Sequence, residues 1–372
     1  MKIIIAGDFA PKARLAKQIK EKKFSEVFSD QLTKIIKKAD FSFVNFESPI
    51  VEDGVKPISK CGPNLRCTSE AAEAVKYAGF TGVTMANNHI LDYGIKGLNK
   101  TVTCCRSIGL DIVGVGDNLA EAGNVLYLKK DDKTLAIINC CEHEFSIATN
   151  ESPGANPLNP IRQYYSIKEA RTKADYVIVV VHGGHEFYPL PSPRMQETYR
   201  FFVDVGADAV VNHHQHCYSG YESYKGKFIF YGIGNFCFDI TPNRVNKAWN
   251  YGYLLELRLG DQIEFTIYPY NQYSEKPCIE LLDCNSFENC LNEYNMIISD
   301  RTKLKSRIVD YYHRCQEYEY ALLEPYSGRF FSKLFSLGLL PRFIRGEKLY
   351  AILNHIDCEA HRDKLIYALK KK

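Results

Sequence analysis

Six short segments place carboxylate, amide or imidazole groups just beyond apolar runs. They are Gly7-Asp8, Asn45-Phe46-Glu47, Ala86-Asn87-Asn88-His89 with Asp92 and Gly94 following, His182-Gly183-Gly184-His185-Glu186, Asn212-His213-His214-Gln215-His216, and Asn235 with Asp239 beyond it. Six of the 10 histidines fall in these segments. Carboxylate oxygen, amide oxygen and imidazole nitrogen suit divalent ions of intermediate softness, Mn, Fe or Zn. The histidine-bearing segments contain no cysteine, which argues against a structural zinc site. A lone histidine is usually structural, and each segment taken singly has an ordinary explanation. Six polar clusters at strand ends do not. In an extended chain, residues two apart share a side, so Asn45 pairs with Glu47 and His214 with His216, and His213 points the other way.

Such groups need a scaffold that ends many strands at one edge. Ile3–Ala6, Phe41–Phe46, Gly82–Met85, Tyr176–Val181, Asp208–Val211 and Phe228–Tyr231 read as strands, and the YVIVVV run is typical of one covered on both faces. Helical periodicity marks Gln31–Lys38, Glu70–Tyr77, Lys96–Ser107 and Arg194–Val205. This predicts an α/β layout, whose strand carboxyl ends bind ligands. Val125–Leu128 with Leu135–Asn139, and Tyr253–Leu259 with Gln262–Tyr268, read as hairpins that make the sheets mixed. Phe287–Asn295, Leu304–Leu323, Leu349–Ile356 and His361–Leu369 read as helices, so a domain over 1–275 is expected to precede a helical region over 276–372.

The 372 residues are 45% hydrophobic and 24% charged, a globular composition. There are 47 Lys and Arg against 44 Asp and Glu. The motif-bearing part is slightly acidic and shows no basic groove, which disfavours a nucleic-acid partner. The 13 cysteines form no CxxC pair and are expected to be reduced thiols of a cytoplasmic protein. The apolar run ended by Asp8 is too short for a secretory leader, and no run of about 18 apolar residues predicts a membrane span.

In order and spacing, GD (Gly7-Asp8), NFE (Asn45–Glu47), ANNHxxDxG (Ala86–Gly94), HGGHE (His182–Glu186), GADAVxxHHxH (Gly206–His216) and YGIGNFCFD (Tyr231–Asp239) resemble the CapA family. That is the bacterial capsule and poly-γ-glutamate biosynthesis branch of the calcineurin-like metallophosphoesterase superfamily. The resemblance covers about residues 1–270. It implies a sandwich of two mixed β-sheets flanked by helices, holding one or two divalent ions. Asp8 and His216 are implied as ligands of one ion, Asn88, His182 and His214 as ligands of the other, and Glu47 as the bridge. His89 is implied as the acid for the leaving group, with Asp92 taken as catalytic beside it. Asn45, Asn87, His185, Glu186, His213, Asn235 and Arg66 are candidates for contacting substrate or supporting the ligands. Two ions about 3.5–4 Å apart would polarise a phosphoryl oxygen for in-line attack.

The sequence also departs from the superfamily pattern. Ala10 stands where a metal-binding histidine is usual, Glu47 where an Asp is usual outside the CapA branch, and Gly183 where an aromatic follows the first His. Asn212 and Gln215 replace a Gly and a Pro. One ion site is thereby left with fewer ligands. The expected activity is hydrolysis of a phosphoester in an anionic small molecule or a glycan or polyglutamate precursor. The alternatives are a non-catalytic accessory of the assembly complex and a metal-dependent amide hydrolase. The stretch Arg329–Arg345 is apolar with basic flanks. It is expected to pack on the rest of the chain, to make peripheral contact with the inner membrane face through 328–346, or to meet a protein partner.

Overall fold

Ile3, Ile4, Ile5 and Ala6 are all buried, so the alternation of Lys2–Phe9 serves two covered faces rather than one. These residues come from a computed structural model. It describes the whole chain except residues 61, 240–246, 273–275, 284, 327, 358–360, 362–364, 366–368 and 370–372. Lys2–Phe9 pairs in parallel with Phe41–Phe46, which continues through Gly82–Thr84 to Asp111–Val113. On its other side Tyr251–Arg258 pairs antiparallel, followed by Glu264–Asn271 and Glu280–Leu281. Asn235–Cys237 pairs with the carboxyl end of Lys2–Phe9 and completes an eight-stranded sheet.

The second sheet has 6 strands, in the order Tyr221–Tyr224, Lys227–Phe230, Ala209–His213, Tyr176–His182, Lys133–Cys141 and Leu126–Lys130. Both sheets are mixed. Ile3, Ile5, Phe43, Leu255 and Leu257 from the first meet Leu135, Ile137, Ile178, Val180 and Val211 from the second in one core. The opposite residues of the first sheet, Ile4, Ala6, Val44 and Phe46, pack under helices that include Ala13–Lys20, Asp30–Lys37 and Glu70–Ala78. Pro160–Lys173 and Pro193–Val205 pack on strands of the second sheet. Each begins with Pro in its first turn, after a side-chain cap from Asn159 or Ser192. The expected sandwich of mixed sheets flanked by helices is what the chain forms.

Both expected hairpins are present, as Leu126–Lys130 with Lys133–Cys141 and Tyr251–Arg258 with Glu264–Asn271. By internal contacts the chain divides into Met1–Leu304 and Lys305–Lys372. The boundary expected after residue 275 thus falls inside the first unit. Glu280–Leu281 extends its sheet, and Phe287 and Leu291 enter its core. In the second unit Phe335 and Ile344 are buried, and Arg329–Ser336 and Glu347–Asp357 are helices. The helix expected over His361–Leu369 lies mostly outside the described residues. Among the described residues no helix is long and apolar enough to cross a membrane.

Candidate metal centre

Asp8 reaches the site because Lys2–Phe9 breaks register there, slipping against Phe41–Phe46 between Ala6 and Asp8. The preceding Gly7 permits this. A Cβ at that position would stand 1.9 Å from the carbonyl oxygen of Gly234. Asn45 donates from Nδ2 to Asp8 Oδ1 at 2.7 Å and lies 3.1 Å from His182 Nδ1. His182 therefore turns Nε2 toward Asn88 Oδ1 at 3.0 Å, His214 Nδ1 at 3.0 Å and Glu47 Oε1 at 3.7 Å. On the far side of Glu47, His216 Nε2 is 3.7 Å from Oε1, and His216 Nδ1 is 3.3 Å from Asp8 Oδ2. Ligand atoms of Glu47, His214 and His216 all lie within 4.8 Å of one another, and all three residues are buried. The six expected ligands thus converge from both sheets.

His214 and His216 do share a side, but not through an extended chain. The strand ends at His213, and both residues take left-handed backbone angles, φ 88° and 54°. Such angles are strained for histidine and cluster at functional sites. His213, the last strand residue, points away and places Nε2 3.0 Å from the carbonyl of Ala6, tying the two sheets together.

Glu47 carries the clearest electrostatic signal. It is fully buried, and among the described residues neither carboxylate oxygen has a hydrogen-bond partner. Burial and the charge of Asp8 push its carboxyl well above the usual range. Burial would also raise Asp8, but the hydrogen bond from His216 and the nearby histidines hold it below. Burial opposes charge on His216, yet Glu47 and Asp8 raise it to about 10. His214 falls to about 4 through burial and the charge of His216. His182 is lowered well below its ordinary value by burial and by His214. A buried, unpartnered carboxylate is costly unless a cation meets it. Ligands about 2.0–2.2 Å from one ion stand roughly 3–3.5 Å apart, close to the spacings around His182 Nε2. The residues fit a divalent ion.

Beside this cluster lies a second one. His89 Nδ1 is 2.6 Å from Asp92 Oδ2, and Lys60 Nζ is 2.5 Å from Asp92 Oδ1. The Lys60 side chain is only 1% exposed. Asp92 Oδ2 also accepts from the amide of Leu65 at 2.6 Å. Asn87 Oδ1 accepts from the His89 amide at 3.1 Å, and its Nδ2 donates to the carbonyl of Phe46 at 3.0 Å. Asn235 Oδ1 lies 2.9 Å from His216 Nδ1, so it supports that ring. His185 is half-buried near Glu142 and Arg194, and burial lowers its pKa. Glu186 is exposed, though its charge reaches Glu47 and His214.

Arg66 does not join the site. It pairs with Asp53 at 2.8 Å and lies 5.8 Å from the centroid of the Tyr93 ring. The neighbouring cation that does join is Lys60. Ala10 is buried with Leu65, Phe238 and Trp249, so aromatic packing fills the region of the usual histidine. Trp249 and Phe238 lie against His216, at 4.8 and 5.3 Å between ring centroids.

Three functional groups escape the sequence reading. Glu144 accepts from Asn88 Nδ2 at 3.1 Å and lies 3.6 Å from His214 Nε2. Glu142 accepts from the Gly184 amide at 3.0 Å and pairs with Arg194. Asn139 Oδ1 accepts from the amides of Met85 and Ala86, stitching the two sheets behind the site. A signal for the two glutamates exists in Cys141-Glu142-His143-Glu144, another polar segment beyond a strand. It is easily missed because Leu135–Asn139 reads only as a hairpin arm.

Two mixed sheets pack face to face with helices outside, and a carboxylate–imidazole cluster lies at the strand ends. The chain belongs to the bacterial capsule synthesis protein PGA_cap family, which it matches over residues 2–240. It is 34% identical over 260 residues to the capsule biosynthesis protein CapA of Bacillus anthracis, covering 67% of this chain and 63% of that one. It is 32% identical over 230 residues to the PGA biosynthesis protein CapA of Bacillus subtilis, covering 61% and 60%. The matched region thus spans less than two thirds of either relative. A hypothetical protein from Thermus thermophilus aligns with TM-score 0.47 and 13% identity, over 73% of this chain and 99% of that one. A novel phosphatase from Mycoplasma pneumoniae aligns with TM-score 0.44 and 17% identity, over 72% and 92%.

Proposed function

We propose that the protein is a metal-dependent hydrolase, acting on a phosphoester of an anionic glycan or polyglutamate precursor in capsule or poly-γ-glutamate synthesis. The observation that carries this reading is Glu47, a buried carboxylate with no hydrogen-bond donor, set among Asp8, His182, His214 and His216. These residues and Asn88 would hold one or two ions, of Mn, Fe or Zn. A divalent ion there supplies Lewis acidity at a phosphoryl oxygen and a nucleophilic water at neutral pH. His89 serves as the acid. Asp92 Oδ2 accepts the hydrogen bond from its Nδ1–H, so in the protonated ring Nε2–H is the one for the leaving oxygen. Lys60 keeps Asp92 in place from the other oxygen, and the amide of Leu65 fixes its orientation. Asn45 and Asn235 hold the rings of His182 and His216. The unbonded, buried Cys140, Cys141 and Cys237 support work in a reducing, cytoplasmic setting.

Ala10 favours a second reading, in which the chain assists an assembly complex without turnover, because aromatic packing replaces a usual ligand. Elemental analysis of purified protein, beside a phosphoesterase panel with added Mn²⁺, separates the two. Bound metal with phosphoester turnover supports the hydrolase. Bound metal with no turnover of phosphoesters or γ-glutamyl amides supports the accessory role. Turnover of the amides alone makes it an amide hydrolase.

A further inference from the structure

The helix Arg329–Ser336 divides its residues cleanly. At 100° per residue Phe330, Phe331, Leu334 and Phe335 share one arc, and Arg329, Ser332, Lys333 and Ser336 share the other. Packing uses only one edge of the apolar arc. Phe335 is buried beside Tyr326, and Phe330 is 69% exposed in edge contact with Phe331. The chain then turns at Gly338, where φ is 72°. Beyond the turn Leu339 is 67% and Phe343 is 52% exposed.

This exposure is held in place rather than left loose. The buried carboxylate of Glu324 accepts from the amides of Phe343 and Ile344 at 2.9 Å, and the Tyr326 hydroxyl donates to the carbonyl of Pro341 at 2.7 Å. Ile344 is buried. So Phe335 and Ile344 anchor an arch on which Phe330, Phe331, Leu337, Leu339 and Phe343 are exposed, with Leu334 and Leu340 half-buried. The charges on this segment are of one sign. Residues 328–346 contain Arg329, Lys333, Arg342 and Arg345 and no Asp or Glu.

We propose that residues 328–346 are a docking surface for an anionic lipid bilayer. Phe330, Phe331, Leu337, Leu339 and Phe343 enter the headgroup boundary, and Arg329, Lys333 and Arg345 lie at the level of the lipid phosphates. Apolar insertion and a cationic rim are the two signals that reversible membrane binding needs together. A protein groove would satisfy the apolar groups alone; the absence of any acid among four cations is what selects an anionic surface.

The test is co-sedimentation of the full chain with vesicles of phosphatidylcholine, with and without phosphatidylglycerol, at low and high salt. The expected result is pelleting with the anionic vesicles at low salt, weakened by high salt. The double variant Phe330→Ser/Phe331→Ser should bind about tenfold more weakly or worse, and Arg329→Glu/Lys333→Glu should lose the salt-sensitive part. All four side chains are at the surface, and circular dichroism confirms that the variants fold. Absence of pelleting with anionic vesicles overturns the proposal, as does equal pelleting with neutral ones or unchanged binding by both variants. A dimer that the Phe330→Ser/Phe331→Ser variant dissolves, with no vesicle binding, also overturns it and assigns the face to a second copy.

Discussion

Glu47 Oε1 stands 3.7 Å from His182 Nε2, yet neither oxygen of that carboxylate receives a hydrogen bond. The protein alone therefore leaves a buried carboxyl group unsatisfied, and binding of a cation is where that cost is recovered. Glu47→Gln removes the charge and keeps the shape. We expect metal content to fall sharply, by elemental analysis. We expect the metal-free variant to melt at a higher temperature than the metal-free parent. Undiminished metal content would remove Glu47 from the ligand set.

Metal uptake should release protons. In the ion-free site His216 lies at about 10, so near pH 7 it holds a proton that an ion must displace, and the upward shift of Glu47 acts in the same direction. His214, at about 4, is already neutral there and contributes none. Affinity should thus strengthen as pH rises through neutrality and weaken in acid. Calorimetry in two buffers of different ionisation enthalpy measures the released protons. Equal heats in both buffers would contradict this assignment.

His89 and His182 should separate in their effects. His89→Asn is expected to keep the metal and to lose roughly 10²–10⁴-fold in turnover, the usual worth of a positioned acid. His182→Ala should lower metal content instead, because its Nε2 faces Asn88, Glu47 and His214. Metal analysis beside single-turnover rates distinguishes the two, and full activity of His89→Asn would make that residue structural.

Lys60 is a buried counter-ion. Lys60→Met removes the buried cation beside Asp92, and losing one partner of a buried pair costs about 3–5 kcal/mol. The double variant Lys60→Met/Asp92→Asn should recover much of that loss. Urea unfolding of the three proteins decides it. A single variant as stable as the parent would place Lys60 outside the pair.

The sequence by itself determined the alternation of strands and helices and the residues at the strand tips. Both are local properties. A period of two or 3.6 reports which side chains share a face, and a polar group after an apolar run reports a strand end. Asp8, Glu47, Asn88, His182, His214 and His216 were legible on that basis, and the family pattern assigned them roles.

The tertiary structure decided what depends on distant segments. Asp8 and His214 are 206 residues apart, and their meeting, with the His214 amide 3.2 Å from Asp8 Oδ2, follows from packing one sheet on the other. The left-handed turns at His214 and His216 replace the extended run expected there, because the strand ends at His213. Lys60 and Arg66 look alike as loop cations, but only a folded loop shows that one is buried on Asp92 and the other rests on Asp53. Ala10 stands where the resemblance led a histidine to be expected, and only the fold shows Phe238 and Trp249 packed about it. Helical periodicity likewise does not reveal that Phe287 and Leu291 pack into a β-sandwich core.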